Sequence, residues 1–161
     1  MSEIAQVQGD LSARNACFGI VLSRFNELVG DQLLTGALDA LRVRGVEPHH
    51  IDVVRVPGAL EIPVTLKVLA ETARYDALIA VGAVIRGETP HFDYVAGECA
   101  RGVREVSVAY ALPVAFGVLT VNTLAQALER AGANGGSNKG AEAALVALEM
   151  VDLFKKLRIA R

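Results

Sequence analysis

The chain reads as an α/β protein, a three-layer αβα sandwich around a doubly wound, mostly parallel sheet of four strands. Three observations predict it. Short β-rich runs alternate with longer stretches of helical spacing along the sequence, the pattern of βαβ crossovers. One of those runs, Ala77–Ile85, is apolar throughout rather than alternating, as expected of a strand covered on both faces. The composition is 52% hydrophobic but only 5% aromatic, with no Trp. A core built from Ala, Val, Leu and Ile suits small helices laid on a parallel sheet.

The elements follow in order. Phe18–Leu22 is a short β-rich run, and Ser23–Asn26 is the loop after it. Leu28–Arg44 carries helical spacing at Leu33, Leu34, Ala37, Leu38 and Leu41, and Gly45 stops it. Ile51–Val56 is a second strand, closed by Pro57-Gly58. A helix then runs from Pro63, suited to a first helical position, to Arg74. The third strand, Ala77–Ile85, leads into a helix from Pro90 to about Val108, with Thr89 as its N-cap. Val114–Val118 is the fourth strand. A short helix over Thr123–Ala131 follows, capped by Asn122 or Thr123. Gly132–Gly136 breaks the chain, and Ala141–Leu157 is the last helix, with Leu145, Leu148, Val151 and Leu153 among its apolar positions.

At 161 residues the chain fits one domain with a substantial core. Residues 1–15 read as an arm and 16–161 as that domain. A net charge of −2 and the lack of any Lys/Arg cluster argue against nucleic-acid binding. Cys17 and Cys99 have neither CxxC nor Cys/His spacing, so core packing is expected of both, with no metal site and no disulfide framework. The polar N-terminus lacks the apolar centre of a signal peptide, and no apolar run is long enough to cross a bilayer. A cytoplasmic protein without membrane contact is expected. The mean hydropathy of +0.37 is high for a monomer of this size and predicts burial of apolar surface against other subunits.

Ligands of open α/β sheets bind at the carboxyl ends of strands, which directs attention to four segments: 23–26, 57–61, 86–91 and 116–123. The third is the most informative. A helix opening at Thr89-Pro90 presents unpaired N–H groups and a positive dipole end, an anion site. His91 sits in that first turn, a candidate acid/base beside the anion site. An ordinary strand–loop–helix with a surface histidine fits the same residues. Phe25 stands where a polar turn residue is expected, so it either stacks on a flat ring or packs. Glu61, just ahead of a helix, either accepts from the hydroxyls of a polyol or simply complements the dipole. Arg130 ends a short helix as an anion clamp or as a solvated arginine. Lys139 lies in a glycine-rich stretch without P-loop spacing. No GxGxxG follows a strand, and GxSxG and HExxH are both absent, which removes the usual signatures of nucleotide, dinucleotide, serine-hydrolase and zinc-protease chemistry.

Five motifs in order carry a resemblance. They are Val56-Pro57-Gly58-Ala59-Leu60-Glu61-Ile62-Pro63, the run from Gly82 to Tyr94, Phe116-Gly117-Val118-Leu119-Thr120, Glu129-Arg130-Ala131-Gly132 and Asn138-Lys139-Gly140. Together they closely resemble the lumazine synthase family over nearly everything from Phe18 to Leu153. The resemblance implies a flavodoxin-like fold, with the N-terminal arm adding a strand to a neighbouring subunit. It implies a transferase of riboflavin biosynthesis that condenses 5-amino-6-(D-ribitylamino)uracil with 3,4-dihydroxy-2-butanone 4-phosphate. The products are 6,7-dimethyl-8-ribityllumazine, phosphate and water, made without a cofactor or a metal.

Residue by residue, the resemblance assigns Phe25 to stacking on the pyrimidine, with Asn26 close by. Ala59, Leu60 and Glu61 bind the ribityl chain, and Ala83, Val84 and Ile85 line the ring pocket. Gly87, Glu88 and Thr89 hold the phosphate with Arg130, provided the Glu88 carboxylate points to solvent. His91 shuttles protons. Phe116 comes from the neighbouring subunit, and Lys139 helps hold the pyrimidine. The loop Ala133–Ser137 is one residue longer than is typical of members that form sixty-subunit shells, so a homopentamer is expected, with the shell as the alternative. Riboflavin synthase is the partner protein that the resemblance brings in. A lumazine or flavin carrier, or a shell protein of the same fold, is the competing class. The presence of both His91 and Arg130 favours the enzyme. A receiver-like signalling domain needs acidic residues after the first strand, and Ser23-Arg24-Phe25-Asn26 offers none.

Overall fold

The computed structural model describes residues 3–159. Four strands, β1 (Phe18–Ser23), β2 (Ile51–Val56), β3 (Ala77–Ile85) and β4 (Val114–Val121), form one sheet in the order β2-β1-β3-β4. The expectation of a mostly parallel sheet is exceeded, since every pairing is parallel. Helices α1 (Glu27–Val43) and α5 (Lys139–Ile159) cover one face, while α2 (Ile62–Glu71) and α3 (His91–Tyr110) cover the other. A short α4 (Leu124–Arg130) follows β4 and sends Ala127 into the α1/α5 side of the core.

The alternation of side chains across the sheet divides the core in two. Phe18, Ile20 and Leu22 of β1, with Ile79 and Val81 of β3, face α1 and α5. Val21 of β1, with Leu78, Ala80 and Val84 of β3, faces α2 and α3. Residues 77–84 of β3 are all buried, which explains their unbroken apolar run. Close approach sets two glycines. A Cβ at Gly82 would overlap the buried Ser23 hydroxyl, and one at Gly140 would overlap the Leu33 carbonyl oxygen where α5 meets α1.

β4 runs to Val121 rather than Val118, because Val118–Val121 pair with Gly82–Ile85. α2 stops at Glu71 rather than Arg74, and Ala73 takes a left-handed turn at φ 54°. α5 begins at Lys139, ahead of the expected Ala141. Thr123, not Asn122, caps α4, its hydroxyl accepting from the Gln126 N–H at 3.2 Å. Cys99 is fully buried as expected, and burial pushes its thiol up to about 11. Cys17 is only half-buried, at the amino end of the sheet beside Asp76, so it is not a core residue.

Residues 1 and 2 of the expected arm lie outside the described residues. Residues 3–17 hold no strand or helix. Gln8 to Asp10 lie on the last turns of α5. The Asp10 N–H donates to an Asp152 carboxylate oxygen at 2.8 Å, and Lys156 Nζ donates to the Gln8 carbonyl at 3.0 Å.

Candidate active site

The strand order reverses direction between β1 and β3, so the loops after these strands part and leave a crevice at their carboxyl ends. A groove of about 490 Å³ lies there, a size that suits a small-molecule ligand. Each wall comes from a different strand end.

The loop after β1 brings Phe25, a residue 72% exposed, to the groove. Arg24 and Phe25 donate their N–H groups to the carbonyls of Val56 and Pro57 at 2.8 and 3.2 Å, which continues the β1/β2 pairing into the loops. Asn26 then turns the chain into α1 from a left-handed conformation, φ 59°, a region Asn tolerates better than most residues. Its amide donates to the Ala83 carbonyl at 3.0 Å and so ties the Phe25 loop to the end of β3. Asn26 therefore supports the groove from behind and is absent from its lining.

The loop after β2 brings Pro57 and Gly58, then a single 3₁₀ turn, Ala59–Glu61, that leads into α2. Ala59 is buried, while Leu60 and Glu61 are open to the groove. Among the described residues no side chain or backbone N–H pairs with the Glu61 carboxylate. Ala83, Val84 and Ile85 at the end of β3 supply the apolar inner wall.

The loop after β3 completes the groove with Gly87, Thr89 and His91. α3 opens at His91 with Pro90, not the expected Thr89, at its N-cap position (φ −64°) and no side-chain cap, although the Thr89 hydroxyl accepts from the His91 N–H at 3.4 Å. His91 is exposed, and its ring has no hydrogen-bond partner among the described residues. Glu88 is exposed and outside the lining, compatible with a carboxylate directed to solvent.

Ten of the sequence-derived residues thus converge on one groove: Phe25, Ala59, Leu60, Glu61, Ala83, Val84, Ile85, Gly87, Thr89 and His91. Phe116 and Lys139 do not join them. They share a second concavity of about 350 Å³ between β4 and the first turns of α5, where Lys139 Nζ lies 2.7 Å from a Glu142 carboxylate oxygen. Arg130 ends α4 in neither concavity, one guanidinium N–H donating to the Gln126 carbonyl at 3.3 Å. Sequence reasoning missed Phe92 and Val95, which also line the groove. Val95 was within reach, since a helix opening at His91 places the residue four positions on along the same face.

The apolar walls, the exposed ring, the free carboxylate and the helix-start histidine can together hold a flat polar ring with a hydroxylated chain and move protons beside an anion. A family model, described as 6,7-dimethyl-8-ribityllumazine synthase, matches residues 15–155 and spans every element from β1 to most of α5. The chain belongs to the 6,7-dimethyl-8-ribityllumazine synthase family, transferases of riboflavin biosynthesis.

Proposed function

We propose that this groove is where the ribitylaminopyrimidinedione and the dihydroxybutanone phosphate condense, and that each protomer supplies two unlike halves of a shared site. The observation that carries this reading is the division of the residues. Phe25, Glu61 and His91 open on one concavity, while Phe116 and Lys139 open on another. One protomer's Phe116 and Lys139 then close the groove of its neighbour. Members of the family are oligomers, and the apolar side chains left exposed, among them Leu28, Val64, Val68, Tyr94 and Val108, provide surface for such contacts.

Phe25 stacks on the pyrimidine, and the inner wall of Ala83, Val84 and Ile85 holds the ring against it. Glu61 accepts from the ribityl hydroxyls. The start of α3, with Gly87 and Thr89, receives the phosphate, and Arg130 reaches it as a bidentate clamp. An amine adds to the ketone, phosphate leaves, and the ring closes with loss of water. Positioning and proton transfer carry such steps, and His91 is the acid/base within reach.

We further propose that the arm, ahead of the Gln8–Asp10 contact with α5, extends to a neighbouring subunit in a cytoplasmic homopentamer, where the outer edge of β2 is unpaired among the described residues. The test is to mix the protein with both substrates and follow lumazine fluorescence against an enzyme-free control. Acceleration with one phosphate released per lumazine is the expected result. Binding of the pyrimidine without acceleration would overturn the catalytic reading in favour of a carrier.

A further inference from the structure

We propose that Arg86 is a positioning residue that fixes the His91 turn of α3 against the loop leading to Arg130. The inference rests on the roles given above to His91 and Arg130, and its own basis is a side-chain network at the rim of the groove. Arg86 follows β3 directly, and its N–H donates to the Val121 carbonyl at 2.9 Å, so its backbone is held by the end of the β3/β4 pairing. Its side chain then reaches two other elements at once. The guanidinium carbon lies 4.3 Å over the ring of Phe92, and one Nη is 3.3 Å from an Asp93 carboxylate oxygen. These are the two residues after His91, in the same first turn. On the other side, Nε donates to the Asn122 side-chain oxygen at 3.1 Å.

Asn122 is itself part of the start of α4. Its N–H donates to the Gln126 side-chain oxygen at 2.8 Å, and the Gln126 N–H is the one that Thr123 caps. The Gln126 carbonyl in turn accepts from Arg130. One guanidinium thus joins the turn that carries the proposed acid/base to the short helix that carries the proposed anion clamp. Planarity matters here. An arginine can stack on a ring and donate from its edge in two directions, whereas a lysine ammonium keeps the charge and loses that geometry. Because small displacements of a catalytic group cost large factors in rate, a brace of this kind acts mainly on turnover.

The test compares Arg86→Lys, Arg86→Ala, Asn122→Ala and wild type, each with kcat and both KM values. The expected result is a fall in kcat of about tenfold or more in Arg86→Ala. Arg86→Lys should be nearly as poor, and Asn122→Ala intermediate. Less than threefold change in KM for the phosphate substrate should accompany these losses. Full activity in Arg86→Lys would show that only charge is needed and overturn the proposal. A raised KM for the phosphate substrate with unchanged kcat would also overturn it, by making Arg86 a direct anion ligand. Should Arg86→Ala fail to fold, Arg86→Lys and Asn122→Ala still decide. An inactive wild type fails the functional reading itself, which the variants do not touch.

Discussion

The two ends of the sheet differ in what their polar side chains face. At the amino end several pair with one another. Asp52 on β2 accepts from the Tyr75 hydroxyl at 2.7 Å and from Arg74 at 2.9 Å, and Asp76 accepts the Cys17 N–H at 2.8 Å. The Tyr75 phenol is pushed up, by burial first and then by the Asp52 carboxylate. At the carboxyl end, Glu61 and His91 face a groove and have no partner among the described residues, while Phe25 is exposed. Solvated Glu61 and His91 cost the fold nothing, whereas an exposed ring beside an apolar groove contributes little to stability and is free to stack on a ligand. Groups left open at the groove are available to a ligand.

The contrast is broken most sharply at His91. Its proposed role requires that His91→Ala lower kcat by about 10²- to 10⁴-fold, the range of general acid–base catalysis, with both KM values within a few-fold of wild type. Steady-state kinetics with each substrate varied in turn decides it. Turnover within threefold of wild type would remove the residue from proton transfer. Arg130→Ala comes next. Loss of a charge-assisted contact to phosphate should raise KM for the butanone phosphate about ten- to hundredfold and leave the pyrimidine nearly unaffected. An effect on the pyrimidine alone would contradict the clamp.

A smaller effect separates Asn26 from the residues that line the groove. Asn26→Gly keeps the left-handed turn and loses the bond to the Ala83 carbonyl, whereas Asn26→Asp places a carboxylate against that same oxygen. If the tether sets the Phe25 ring, Asn26→Gly raises KM for the pyrimidine about two- to tenfold, the usual worth of one hydrogen bond. Asn26→Asp should be worse. Unchanged KM in both variants would mean that the Phe25 loop holds its shape without the bond.

Much of this site was legible in the sequence, because the strand ends carry their chemistry in contiguous motifs. β2 and β3 have the bounds that their β-rich and apolar runs predict, and a strand end followed by Thr-Pro-His leaves little doubt where a helix opens. The Asn26 tether was hidden for a physical reason. It joins residues far apart in sequence, and only the approach of the β1 loop to the end of β3 turns an amide near a substrate into a structural strut. The Arg86 network is equally non-local, joining β3, α3 and the start of α4. On one protomer Phe116, which the resemblance assigns to the neighbouring subunit, lies with Lys139 in a concavity apart from the groove. No single-chain pattern encodes how two copies meet.

The smallest expected effect lies far from the chemistry, where the N-terminal segment rests on α5. Asp10 is held below the ordinary carboxylate range, chiefly by the hydroxyl and N–H of Ser12. Asp152 is held down chiefly by Lys156, and Lys156 is pushed up chiefly by Asp152. The signs fix the window. Carboxylates lowered by folding contribute above their unfolded pKa, and the contribution fades as pH falls through the folded one. A raised ammonium contributes below its unfolded pKa and fades as pH rises through the folded one. The tether should therefore be intact near neutral pH and loosen below about pH 4. Hydrogen exchange of the Asp10 and Ser12 amides, corrected for intrinsic rates, should lose protection on acidification while β1 and β3 keep theirs. Lys156→Ala should produce the same local loss at neutral pH without touching kcat. Protection of these amides that is unchanged by both acid and substitution would mean that the segment is held by packing against α5, where a side chain at Gly9 would overlap the Glu149 carbonyl, and not by its ion pairs.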